Sequence, residues 1–407
     1  MKYTINEIEQ YVAEEDVKFI RLAFTDVFGR KKNTSIMSDE LRNAFECGVP
    51  IKSSAIRGFE TRANSDLLLR PDTSTIAVLP WRPERGRVIR MFCSISYPDG
   101  TSFESDSRSV LIRAIQEAES KGVSFAISSE MEFYLFRRDE NGLPTREPFD
   151  SAGYMDVSPD DKGENIRREI CLSLEQMGVK PVSSHHEVGP GQNEIDFCSL
   201  DPLAAADAAV TFRFVVNTIA AAHGLFADFS PLPMANQPGN AMRLKFRIQQ
   251  NNGNNNEYWR YAIGGLLKNI CAMTLFFNPT ANSYQRLRES NVPKKVAWSR
   301  ESCEQIVRLS NDGADRKTVE LGTPDSTCNP YLANALLIWS ALDGIDNEVQ
   351  PPLPIEPGAN QESERIVEER VPLSLREAAE ATKSSSLINE KIPQQIANHY
   401  IALADEE

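Results

Sequence analysis

A change of hydrophobic period near residue 100 constrains the fold of this chain more than any other feature. Upstream, VKFIRLAFTDVFGRKKN alternates, and TSTIAVLPWRPERGRVIRMFCSISYPDG gives two β-rich runs split by a Pro/Arg/Gly turn. Downstream of PDGTSFESDSR, the run SRSVLIRAIQEAESKG carries apolar residues at helical spacing with a glycine stop, and VSFAISSEMEFYLF then reads as a strand. The boundary falls between Tyr97 and Ser107, which predicts an N-terminal unit over 1–103 and a larger unit over 104–407. GENIRREICLSLEQMGV, NEIDF and ADAAVTFRFVVNTIAAAHG read as helix, short strand and long buried helix, so the larger unit mixes the two element types as α+β or α/β. The Pro-rich and then charged QPPLPIEPGANQESERIVEER predicts a surface excursion before the final helices.

A chain of 407 residues exceeds one ordinary core, which agrees with two domains. Hydrophobic residues at 41% and charged residues at 25% are those of a globular protein with a sizeable interior. A net charge of −14 repels a phosphate backbone, so no nucleic-acid partner is expected and an anionic ligand needs a local basic pocket. No apolar run approaches the roughly 18 residues of a spanning helix, and the acidic, amphipathic start is unlike a signal peptide. No membrane partner and a cytoplasmic location are therefore expected. The seven cysteines are dispersed and form no C-x-x-C pair, against both a disulfide framework and a zinc cage.

Chemistry-bearing residues concentrate in a few strand-like stretches. In SSEMEFYLF, Glu130 and Glu132 are two apart and leave one face of a strand. SHHEVGPGQNEIDF adds His185, His186, Glu187 and Glu194 around a Gly-Pro-Gly turn, and TVELGTPD adds Glu320. Clustered carboxylates suit magnesium or manganese. Two glutamates at this spacing are commonly a solvated face, but that reading leaves the dense HHEVGPGQNEIDF run unexplained. In GNAMRLKFRI, Met242, Leu244, Phe246 and Ile248 alternate with Arg243, Lys245 and Arg247, giving a strand with one apolar and one cationic face.

Taken together, these stretches resemble the glutamine synthetase family, type I, over nearly the whole chain. The likeness is carried by GYMDVSPDDKGENIRREICLSLEQMGVKPVSSHHEVGPGQNEIDF, YAIGGLLKNICAMTLFFNPTANSYQRL, VAWS, TPDSTCNPYLANALLIWSALDGI and SDLLLRPDTSTIAVLPW, in the family's order. The resemblance implies an α+β fold, with a small β-grasp N-terminal domain and a catalytic domain of curved antiparallel sheet and flanking helices. It also implies self-association into a ring with sites between neighbouring subunits. This chain stops at HYIALADEE where family chains usually continue toward an opposite ring, so a single ring is an open expectation. The implied chemistry is ATP-dependent activation of a glutamate side-chain carboxylate as an acyl phosphate, followed by attack of ammonia or another amine.

The resemblance implies roles for individual positions. Glu132, Glu187 and Glu194 match the ligands of one metal site, while Glu130 and Glu320 match two ligands of a second, whose histidine position is Arg243. Lys245 stands where a phosphate-assisting histidine is found, and Arg247 where a serine lies near the nucleotide base. Arg286 matches a ligand of the substrate carboxylate, Arg308 a phosphate-side arginine, and Asp66 and Gly239 are retained, Gly239 with His185 and His186 on the substrate side. Other positions depart from the family: Lys52 replaces an aspartate, Asn291 a flap glutamate, Cys303 and Gly322 two arginines, and Leu232 a lysine. Arginine stays protonated and offers a metal no lone pair. Arg243 is therefore expected to hold a guanidinium between Glu130 and Glu320 in place of the second ion. The expectation is a family ligase with one magnesium or manganese, ATP, and a small amino acid or amine substrate, with ordinary glutamine synthesis displaced. The competing expectation is an inactive homologue serving as a binding, regulatory or structural ring.

Overall fold

The computed structural model describes residues 3–61, 65–250, 257–300, 302, 304–311, 317–355 and 369–405. The N-terminal unit is a mixed sheet of six strands: β1 (Val17–Thr25), β2 (Lys31–Met37), β3 (Val49–Ile51), β4 (Leu67–Pro71), β5 (Ala77–Val78) and β6 (Arg87–Ser96). Its order is β2-β1-β6-β4-β3, with β5 on β6. The alternating run at Val17 makes the antiparallel β1–β2 pair, and β1 continues the sheet parallel to β6. Gly29 sits in the β1–β2 turn at φ +75°, where a Cβ would lie 2.8 Å from Asn329 Cα, so only glycine permits the hairpin to touch the larger unit there. Asn329 then donates to Val27 O at 3.0 Å.

The larger unit is built on nine strands, β7 (Val123–Arg138), β8 (Pro144–Pro148), β9 (Pro181–His186), β10 (Gln192–Phe197), β11 (Leu225–Asp228), β12 (Met242–Gln250), β13 (Trp298–Arg300), β14 (Val307–Asn311) and β15 (Lys317–Leu321). The path runs β13-β14-β15-β12-β7-β10-β9, with β8 and β11 also on β7, and every pairing except β13–β14 is antiparallel. In the first half of β7, Val123, Phe125 and Ile127 are buried while Ser124, Ala126, Ser128 and Glu130 are half-buried, so one face packs and the other carries polar groups.

The apolar face is covered by helices. Pro202–Ala222 starts on Asp201, whose side chain accepts from Ala204 N, and has Pro at its first turn. It buries Phe212, Val215, Val216 and Ile219, each worth roughly 1.5–3 kcal/mol of apolar transfer. By length and composition this helix could cross a membrane, contrary to the reading of the sequence, but 67% of its most apolar stretch is buried within the fold, as in a core helix. Tyr258–Phe277 and Pro330–Asp346 are buried on most of their length and pack on one another through Gly265 and Gly344. The Pro-rich excursion lies largely outside the described residues, as 356–368 are not among them.

Candidate active site

The antiparallel register assembles the site in rows across the polar face of the sheet. Arg308 on β14 lies opposite Glu320 on β15, and Glu320 opposite Lys245 on β12. One step along, Arg243 lies opposite Glu130 on β7, and Glu130 opposite Asp196 on β10. In the next row Glu132 lies opposite Glu194, and Glu194 opposite His185 on β9. Successive members are two residues apart on every strand, so all of them project from one face. Met242, Leu244 and Phe246 point the other way into the core at 1–2% exposure, which fixes the outward direction of the cations between them.

Glu132, Arg243, Arg308 and Glu320 of these rows border a cavity of about 220 Å³, with Glu187 and Arg286 also in its lining. Asn291 and Gly322 also line it, and a Cβ on Gly322 would meet nothing within 4 Å. The position where the resemblance implies an arginine is open space here. Lys52 belongs to the N-terminal unit and does not line this cavity, and Cys303 lies outside the described residues.

The carboxylates divide into two groups. Glu132 is buried and accepts from Ala241 N at 2.9 Å and Gln192 Nε2 at 3.3 Å. His185 Nε2 lies 3.0 Å from Glu187 Oε1 and 3.9 Å from Glu194 Oε1, and the donor atoms of these three residues fall within 4.8 Å of one another. Burial, and then the charges of Glu132, Asp196 and Glu187, push Glu194 well above the usual carboxylate range. Burial also raises Glu132, against the pull of Arg243 and of the bond from Ala241 N. Crowded hard oxygens that resist joint ionisation form a donor set suited to magnesium or manganese. Glu132, Glu187 and Glu194 would hold such an ion.

The second group is already met by protein cations. Lys245 Nζ pairs with Glu130 and Arg308 Nη2 pairs with Glu320, while Arg243 Nη2 stands 3.9 Å from Glu132 Oε1. Arg243, expected between Glu130 and Glu320, reaches toward Glu132, while Lys245 and Arg308 meet the two glutamates. Arg243 and Lys245 each reach a diagonal partner on β7, Glu132 and Glu130. Glu130 also faces Asp196, which reading the sequence missed although it follows Glu194 at the same strand spacing.

On the substrate side, Arg286 is buried and donates to Asn278 Oδ1 at 3.1 Å and Thr323 O at 2.6 Å, with its Nε buried and without a partner. Burial pulls its pKa down, opposed by Asp325 and Glu132. A Cβ on Gly239 would lie 2.4 Å from Pro231 O and 2.7 Å from Arg286 Cγ, so glycine is needed for the arginine to reach the cavity wall. His186 departs from its expected substrate role. It is fully buried, with ring nitrogens 2.9 Å from Asp150 Oδ1 and 2.6 Å from Glu187 O. Burial disfavours its charge, but these two acceptors prevail and raise its pKa, so His186 braces the loop that carries Glu187. Asp150, distant in sequence, was not foreseen. His185 borders the carboxylate cluster, edge-on to Tyr154 at 5.4 Å, and is not among the residues lining the cavity.

Known proteins resemble this chain over nearly its whole length. The family description "Glutamine synthetase, catalytic domain" matches residues 104–407, and "Glutamine synthetase, beta-Grasp domain" matches residues 16–98. Glutamine synthetases from Clostridium saccharobutylicum and Methanosarcina mazei are each 39% identical, over 98% and 99% of this chain and 94% of theirs. That of Thermus thermophilus is 38% identical over 98% of this chain and 94% of its own. Among solved structures, apo GmaS without ligand superimposes with a TM-score of 0.89 at 24% identity, covering 98% of this chain and 96% of that one. A GmaS/ADP complex gives 0.88 at 24% identity, covering 98% and 95%.

Proposed function

Because this chain belongs to the glutamine synthetase family, we propose that it is a ligase joining a small acid to an amine at the expense of ATP, with protein cations in place of a second metal ion. The observation that carries the reading is the split of the carboxylates: Glu187 and Glu194 cluster with His185, and Glu132 lies close enough to feel the charge of Glu187 and to act on Glu194, whereas Glu130 and Glu320 are paired with Lys245 and Arg308. Six carboxylates (Glu130, Glu132, Glu187, Glu194, Asp196, Glu320) against four cations (Arg243, Lys245, Arg286, Arg308) leave two negative charges when all are ionised, which one divalent ion balances.

In the proposed reaction a substrate carboxylate oxygen takes the terminal phosphoryl group of ATP, and ADP leaves. The amine nitrogen then bonds to the acyl carbon, phosphate leaves, and the nitrogen loses a proton. Glu132, Glu187 and Glu194 would hold a divalent ion, which would supply positive charge toward the phosphoryl oxygens. Arg286 holds the acid's carboxylate, supported by its unpartnered Nε and its place on the cavity wall. Arg308 and Arg243 offset charge that builds as the phosphoryl group moves. Open space at Gly322, Asn291 at the rim and Lys52 in the N-terminal unit support a substrate pair other than glutamate and ammonia. Assembly into a ring, with each site completed by a neighbour's N-terminal unit, and a cytoplasmic location belong to the same proposal, as does the division at residues 103 and 104.

ADP release with manganese, ATP and a panel of acids and amines tests this, with bound metal counted by mass spectrometry. The expected result is turnover with another acid–amine pair and one ion per chain. Two ions per chain, or fastest turnover with glutamate and ammonia, refutes it. One observation favours a non-catalytic ring instead: Lys245 and Arg308 are engaged by carboxylates and not held open for phosphate. Failure to bind nucleotide by calorimetry would select that reading.

A further inference from the structure

A cavity of about 680 Å³ lies apart from the carboxylate site and shares no lining residue with it. Its walls come from the β1–β2 turn, Arg57, the helix Pro202–Ala222 and segments near residues 280, 326 and 403. Phe28, Val210 and Phe214 give it apolar surface, and Arg30, Arg57 and Arg213 give it positive charge, with the Lys31 amine beside them. No Asp or Glu lines it, in a chain whose net charge is −14. Cavities of this size and mixed lining suit small organic ligands.

Two of the basic groups lie over aromatic rings. Lys31 Nζ lies 3.2 Å from the centroid of the Phe214 ring, and the Arg57 guanidinium 4.9 Å from that of Phe28. Arg213 Nη1 donates to Ser326 O and Cys328 O at 3.2 Å each, while its Nη2 is buried without a hydrogen-bond partner. A buried guanidinium nitrogen without an acceptor is costly to keep. Burial, with Arg90 and Arg21 nearby, pushes Lys31 down to about 6, in keeping with a site short of negative charge.

We infer that this cavity binds a small organic anion with a ring-sized apolar body, its carboxylate or sulfonate meeting Lys31 and Arg213 and its body lying against Phe214 and Val210. Such a ligand would touch Ser326, whose Oγ donates to Glu132 O at 3.1 Å and Ala241 O at 3.0 Å, at the back of the carboxylate site.

The test uses the full chain and the fluorescent probe 1-anilinonaphthalene-8-sulfonate, which has both features. Saturable binding of one probe per chain is expected. Lys31→Glu, and Asn217→Trp at an exposed helix position on the cavity rim, should each weaken it by about tenfold or more. In the unaltered protein, the probe should slow acetylation of Lys31 by acetic anhydride, read by mass spectrometry. Unsaturable binding, undiminished binding in either folded variant, or an equally reactive Lys31 overturns the inference. Should a variant fail to fold, the protection of Lys31 decides. Loss of the ligase reading would leave this result untouched, because the probe assay does not depend on turnover.

Discussion

Removing the charge of Arg243 while keeping its length, by Arg243→Gln, should tighten manganese binding. The guanidinium Nη2 lies 3.9 Å from Glu132 Oε1, and an ion held there is taken as about 4 Å from it. A unit charge and a divalent ion about 4 Å apart repel by about 2 kcal/mol in a water-like medium, and several times more in a dry one. The Arg243 side chain is 37% exposed, so the lower figure applies. About 2 kcal/mol corresponds to about a thirtyfold lower Kd. Isothermal titration with manganese at constant ionic strength reads this directly, and the difference should shrink as salt is raised. If Arg243→Gln leaves Kd within about twofold, or weakens binding, the guanidinium does not oppose the ion and the charge argument fails.

Three further outcomes follow from the same geometry. Glu194 is raised by burial and neighbouring carboxylates, so manganese binding near pH 7 should release about one proton, seen as a dependence of binding heat on buffer, with affinity rising with pH; no buffer dependence would contradict it. Gly239→Ala places a methyl group 2.4 Å from Pro231 O and against Arg286, and should cost about 1–3 kcal/mol of stability and raise KM for the acid more than it lowers kcat, measured by urea unfolding and steady-state kinetics. Lys31 is lowered to about 6 in the fold, whereas in the unfolded chain it binds a proton up to its ordinary pKa. Stability therefore rises with pH above about 6, by up to about 1.4 kcal/mol per unit from this group. Lys31→Met should flatten that slope and stabilise the protein at neutral pH, and equal slopes in the two proteins would count against a desolvated lysine.

Much of the fold could be read from period alone. The strands at Val17, Val123 and Met242, and the helices at Ser107, Glu164 and Pro202, form where the apolar spacing predicts them, because burial on one face imposes that spacing. The pairs Glu130/Glu132 and Arg243/Lys245 were legible as same-face neighbours for the same reason. Which cation meets which carboxylate was not, since that depends on register and on the lean of long side chains toward diagonal partners. Asp196 was within reach of the alternation that gave Glu194. Asp150 carried no local signal, because its contact with His186 spans 36 residues and exists only in the folded sheet. The cationic cavity was invisible for a related reason: Lys31, Arg57 and Arg213 are ordinary charges until three distant segments close around them.

The alternation along β12 separates two tasks within nine residues. Met242, Leu244 and Phe246 anchor the strand through the core, and none of them faces the site. Arg243 and Lys245 can consequently be exchanged without disturbing the register that aligns Glu130, Glu132 and Glu320. On the proposed reading, the strand is an exchangeable cassette whose two outward positions would set how many ions the sheet can hold. A scaffold of this kind can change its chemistry by a pair of codon changes while its architecture stays still.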